Sequence, residues 1–106
     1  MRLMLDTSRT GFTVTKEPMP KTEFGGTQQK VNKTTNRPEW VVEVLALDPE
    51  HGEVIRVTVT GDQPKVSQGS PVTFSELEAI PWIRDGKNGV AYRAFSIQPS
   101  SQAKAA

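Results

Sequence analysis

The sequence predicts an all-β domain: a small five-stranded antiparallel barrel with a long basic loop between its first two strands. Three observations point there. Val, Thr and Ile fall in short runs bounded by Gly, Pro, Asp and Asn, which is strand and turn chemistry. No 11-residue window keeps the i, i+3, i+4, i+7 apolar spacing of an amphipathic helix. Eight Gly and eight Pro are spread through 106 residues, which leaves little room for long helices.

The strands are read in chain order. Residues 11–16 alternate Phe12 and Val14 with Thr13 and Thr15. In residues 40–47, Trp40, Val42, Val44 and Ala46 share one face, and Val41, Glu43, Leu45 and Leu47 the other. Residues 53–60 set Ile55, Val57 and Val59 against Arg56, Thr58 and Thr60. Pro49 and Gly52 in the intervening loop indicate a hairpin. Residues 70–77 form a fourth strand with Val72 and Phe74 on one side. Residues 90–97 form a fifth, entered through the turn 85–89. Residues 76–80 read alternatively as a short helical turn stopped by Pro81. Residues 18–37 show no element of their own, and loops of that length are commonly functional or disordered. Residues 1–98 are expected to form the domain and 99–106 a flexible tail. An OB-fold-like barrel, an SH3-like barrel and a small sandwich all fit this pattern.

Composition narrows the function. With no Cys and one His, disulfides, cysteine-ligated metals and a structural zinc site are not expected. No apolar run approaches the roughly 20 residues of a membrane span. The first five residues are too short for a signal peptide, so a cytoplasmic protein is expected. His51 lies in a polar turn with Asp48 and Glu50, where a solvated loop outweighs acid–base chemistry. Gly25-Gly26 lacks phosphate-loop spacing, and no serine sits in a nucleophile elbow. Neither an enzyme nor a cofactor is expected.

Net charge is +1, yet residues 1–37 carry seven Lys or Arg against three acids, and residues 38–62 one against six. A basic segment on a near-neutral chain suits an anionic partner. Single-strand binders need cations along the phosphates and aromatic faces for the bases. Lys21, Lys30, Lys33 and Arg37 run directly into Trp40, and Arg56, Lys87 and Arg93 extend the stripe. Phe24 and Tyr92 are further stacking candidates, while Trp82, between Pro81 and Ile83, reads as a core or interface plug. Trp40 reads equally as core or as stacking residue.

Residues 54–97 resemble the single-stranded DNA-binding gene V proteins of filamentous phages. The likeness lies in Val54-Ile55-Arg56-Val57-Thr58-Val59, Gly61-Asp62-Gln63-Pro64, the run from Gly89 to Ile97 followed by Pro99, and Gly11-Phe12-Thr13-Val14-Thr15-Lys16. Met1-Arg2-Leu3 and Thr22-Glu23-Phe24-Gly25-Gly26 are similar to small single-strand-binding proteins of conjugative elements that assist relaxase-linked helicases. The resemblance implies an OB-type barrel, a homodimer, and sequence-independent binding of single-stranded DNA in the replication or transfer of a phage, plasmid or integrative element. It implies DNA roles for Trp40 entering the second strand, Arg56 on the third, Arg93 on the last, and Lys16 at the start of the DNA-binding wing. A helicase or relaxase partner fits the same setting. The chain departs from the family in its longer loop between Lys16 and Trp40 and in a turn 85–89 without an aromatic. Residues 100–106 also lack an acidic tip. Single-stranded RNA would use the same chemistry, and a protein–protein adaptor or structural barrel with an incidental basic loop is the alternative.

Overall fold

The computed structural model describes residues 3–22, 29–32 and 34–100. They form eight strands: β1 (Leu3–Met4), β2 (Gly11–Pro20), β3 (Glu39–Leu47), β4 (Gly52–Thr60), β5 (Pro71–Ser75), β6 (Glu78–Arg84), β7 (Lys87–Ala94) and β8 (Ser96–Pro99). They make one curled sheet of order β1-β6-β7-β4-β3-β2-β5-β8. The described residues contain no helix long and apolar enough to cross a membrane.

Eight strands replace the five expected, and the register gives the reason. β5 pairs with β8 up to Ser75 opposite Ser96, and β6 pairs with β7 from Glu78 opposite Arg93. Two residues therefore lie between the two pairings on each strand, Glu76 and Leu77 on one and Ala94 and Phe95 on the other. β5–β6 and β7–β8 form one long hairpin broken at a single level. Its first half borders β2, through Phe12 opposite Val72, and its second half lies parallel to β4, through Val57 opposite Tyr92. The two ends of the sheet are thus joined through the chain, an arrangement consistent with an OB-like fold.

The core follows the alternation in the sequence. Phe12, Val14, Val42, Val44, Ile55, Val57, Val59, Val72 and Phe74 are all buried. Each fully buried valine contributes about 1.5–3 kcal/mol through the water it sheds. Phe12 and Phe74 meet edge to face with ring centroids 5.0 Å apart, the geometry that aromatic quadrupoles favour. At the break the spacing slips from two to three: Phe74 is followed by Leu77, and Ala94 by Ile97. Glu76 absorbs the slip with φ 51°, and Leu77 turns into the core.

Three further expectations are corrected. Of residues 76–80, read alternatively as a helical turn, 78–80 instead open strand β6. Pro81 is tolerated because β1 covers only Ala79 and Glu78, leaving the outer edge at Pro81 unpaired among the described residues. The turn 85–89 shrinks to Asp85-Gly86, both at positive φ (52° and 76°), the two-residue turn whose twist matches a hairpin. Residues 18–37 are not without elements, since β2 runs to Pro20 and isolated bridges join Thr22 to Gln29 and Val31 to Pro38. Pro99 belongs to β8, and the Ser100 N–H donates to the Pro71 carbonyl. Residues 101–106 lie outside the described residues.

Candidate nucleic-acid interface

Lys21 from the basic loop and Arg93 from β7 meet on the outer face of β3 and β4. Its centre is a closed polar network. Glu39 is only 3% exposed, and its carboxylate receives Arg93 Nη2 at 2.8 Å. Arg93 Nη1 also donates to Thr60 Oγ1 at 3.1 Å. Burial alone would raise the Glu39 pKa. The hydrogen bond and charge of Arg93, with Lys21 and Asn32, outweigh burial and hold it below the usual range. Lys21 Nζ donates to Thr58 Oγ1 at 3.1 Å. Burial lowers the Lys21 pKa, with Lys30 and Arg93 adding repulsion against the attraction of Glu39.

The same glutamate fastens the basic loop. Its N–H donates to the Lys30 carbonyl, and its own carbonyl accepts from the Lys21 N–H and the Gln29 side chain. Asn32 closes the next turn by accepting from the Thr34 and Thr35 N–H groups. Residues 29–32 and 34–38 are therefore pinned onto the sheet. Arg93 and Lys21 are structural partners here rather than free cations.

The other expected residues divide. Arg56 is exposed on 70% of its side chain and touches Glu43 at 3.4 Å. The Glu43 pKa is lowered first by the hydrogen bond from the Thr15 hydroxyl, against the opposing effect of burial, with Lys16 and Arg56 adding to the lowering. Lys16 is exposed opposite Glu43, and Lys87 is exposed beside the turn of the β6–β7 hairpin. Arg37 lies over Gly61, where a Cβ would come 3.2 Å from its Nη2, and pairs with exposed Asp62 at 3.7 Å. Trp40 is half-buried opposite Val59, on the core-facing side of β3. Its indole N–H donates to the Gly61 carbonyl at 2.9 Å, so its ring is a structural plug. Tyr92 packs against the core. Lys30 is half-buried in the pinned loop. Phe24 and Lys33 lie outside the described residues.

The structure supplies two aromatic rings that sequence reasoning did not assign to this face. Trp82 is 45% exposed on the β6–β7 arm, opposite Gly89. A Cβ on Gly89 would come 2.5 Å from the indole, so the ring occupies the space that the missing side chain leaves. Arg84 and Lys87 face one another on the same side of the arm. Thr58 opposite Arg93 carries this face onto β4, where Arg56 stands. Phe95, between β7 and β8, is 73% exposed. A Gly directly opposite an aromatic in a hairpin was the signal for Trp82, and the change of apolar spacing from two to three was the signal for Phe95.

Elsewhere the chemistry is structural. Asp48 Oδ1 accepts from the Glu50 and His51 N–H groups, which lowers its pKa, and His51 is exposed beside it. Among the described residues no group of three or more His, Asp or Glu is placed to hold a metal ion.

No family model matches the chain, and no curated protein matches it in sequence. In structure it is similar to the small single-stranded DNA-binding protein from Streptomyces coelicolor, with a TM-score of 0.56 and 12% identity over 97% of this chain and 98% of that one. At that identity the two chains share a fold over nearly their whole lengths.

Proposed function

We propose that this protein binds single-stranded DNA with little sequence preference, through an OB-type barrel, and is not an enzyme. One observation carries the reading: the hydrogen-bonded β6–β7 arm presents an exposed indole with Arg84 and Lys87 on one face, continuous with Arg56 on the sheet. That combination of ring and cations is what a single strand needs. The shared fold with a Streptomyces protein described as single-stranded DNA-binding supports it. Cations at Lys16, Arg56, Arg84 and Lys87 neutralise phosphates, and Trp82 stacks on a base. Lys30, Lys33 and Arg37 add positive charge along the loop, where Phe24 is a further stacking candidate. Arg93 and Lys21 hold the loop in place.

The proposed setting is cytoplasmic, in replication or transfer of a phage, plasmid or integrative element, with the protein acting as a homodimer beside a helicase or relaxase. Fluorescence anisotropy with labelled oligo-dT and the matching duplex tests the binding. The expected result is salt-sensitive binding of the single strand and not the duplex. No binding at low salt would refute it. Competition by oligo-rU reads the preference for DNA over RNA, and sedimentation reads the dimer.

A further inference from the structure

Phe95 is an aromatic ring that this path does not use, and it does not sit on a free loop. Its N–H donates to the Ser75 carbonyl at 2.9 Å. Across the broken hairpin, Leu77 is 3% exposed while Phe95 is 73% exposed. One paired kink therefore turns a leucine in and a phenylalanine out, and the hydrogen-bonded strands hold the backbone beneath the ring. Leaving so much apolar surface in water forgoes burial energy at that position.

The ring borders a groove of about 580 Å³, within the size range of sites that take small organic groups. Val59, Ala94 and Ile97 line it; Arg37 and Arg93 stand on its walls, each beside a carboxylate of its own (Asp62 and Glu39), and Glu76 and Glu78 add further carboxylates. Such a groove is poorly suited to phosphate. It suits a flat, neutral ring with hydrogen-bond donors on its edge.

We infer that this groove receives one nucleobase of the bound strand, stacked on Phe95, with the carboxylates favouring bases that carry an exocyclic amino group. The inference rests on the single-strand reading above. A base stacks on any aromatic face. Ionised carboxylates only accept hydrogen bonds, so they pair with the N4 amino group of cytosine, whereas thymine puts an O4 acceptor in that place and keeps only its ring N3–H as a donor. The outer face runs from Lys87 through Arg93 toward Phe95, so a strand lying on the arm reaches the groove without leaving the sheet.

The test is anisotropy with labelled oligo-dC and oligo-dT on the whole protein and on Phe95→Ala, Phe95→Trp and Glu76→Gln, each checked by thermal melting. The wild type is expected to bind oligo-dC more tightly than oligo-dT. Phe95→Ala should lose about tenfold or more on oligo-dC with its melting unchanged, and Phe95→Trp should retain binding. The dC-to-dT ratio should fall toward one in Glu76→Gln. Wild-type-like binding by Phe95→Ala would overturn the inference while leaving the single-strand reading standing, and the ring would then be an anchor for a protein partner. Equal wild-type affinities for the two oligonucleotides would overturn the role given to the carboxylates. Failure of the wild type to bind either one would overturn both readings.

Discussion

Glu39 shows how one residue can decide whether a neighbouring cation is free. A carboxylate this deeply buried costs several kcal/mol unless it is paired. Its partner is Arg93, at 2.8 Å. In the sequence Arg93 appears as a cation on a polar strand face, available for phosphate. Nothing local reveals that the fold sets it against a glutamate from another strand. Arg93→Ala should therefore lower unfolding stability by about 3 kcal/mol, because it strands a buried charge, and urea denaturation measures this. The pH dependence follows from the lowered Glu39 pKa. The folded state holds the proton less tightly than the unfolded state. The resulting stabilisation is complete above the ordinary value of 4.5 and is lost as pH falls through the lowered one. The stability difference between wild type and Glu39→Gln should stay flat near neutrality and shrink in acid below that value. A constant difference through that range would show that the carboxylate is not held ionised by its partners.

At the scale of elements, the alternating runs in β2, β3 and β4 were legible because one face is core and the other is wet. Phe12 and Val14, then Val42 and Val44, then Ile55, Val57 and Val59 are buried as the pattern required. The fourth and fifth strands were legible only in their first or last halves. Their apolar spacing slips by one residue at the kink, and a period-two reading stops there. Pro81 then imitated a helix stop, although at an unpaired edge proline interrupts no ladder. The arm built by this hairpin makes its own prediction. Trp82 is held by contact with Gly89, where a Cβ would come within 2.5 Å of the ring. Gly89→Ala must push the indole off the arm. It should shift the Trp82 emission and weaken oligo-dT binding toward that of Trp82→Ala, which is expected to lose about tenfold or more. Trp40, fastened to Gly61, provides a constant background signal in the same experiment. If Gly89→Ala binds like wild type with unchanged emission, the arm does not present the ring.

For the whole molecule the governing quantity is where the charge lies, since the total is only +1. A protein this close to neutral gains little general attraction for a polyanion, so its affinity must come from cations that touch phosphate. Internal pairing removes several candidates. Arg93 is committed to Glu39, Lys21 to Thr58, and Arg37 shares its charge with Asp62. Arg84 and Lys87 on the arm, Arg56 on β4 and Lys16 on β2 remain exposed on the outer face; Arg56 touches Glu43 at 3.4 Å but keeps 70% of its side chain in solvent. Each phosphate neutralised on a single strand contributes about −0.7 to the slope of log affinity against log salt. Four such contacts give a slope of about −2.8 at this fixed increment. Replacing both Arg56 and Lys87 by Ala should lower its magnitude by about 1.4, with melting unchanged because both side chains are exposed. Arg93→Ala should act differently, lowering stability while leaving the slope of the remaining folded protein near that of wild type. Anisotropy titrations over a series of salt concentrations separate the two effects. If Arg93→Ala flattens the slope and the double variant does not, the strand crosses the pinned loop instead of the arm, and the path along Trp82 is wrong.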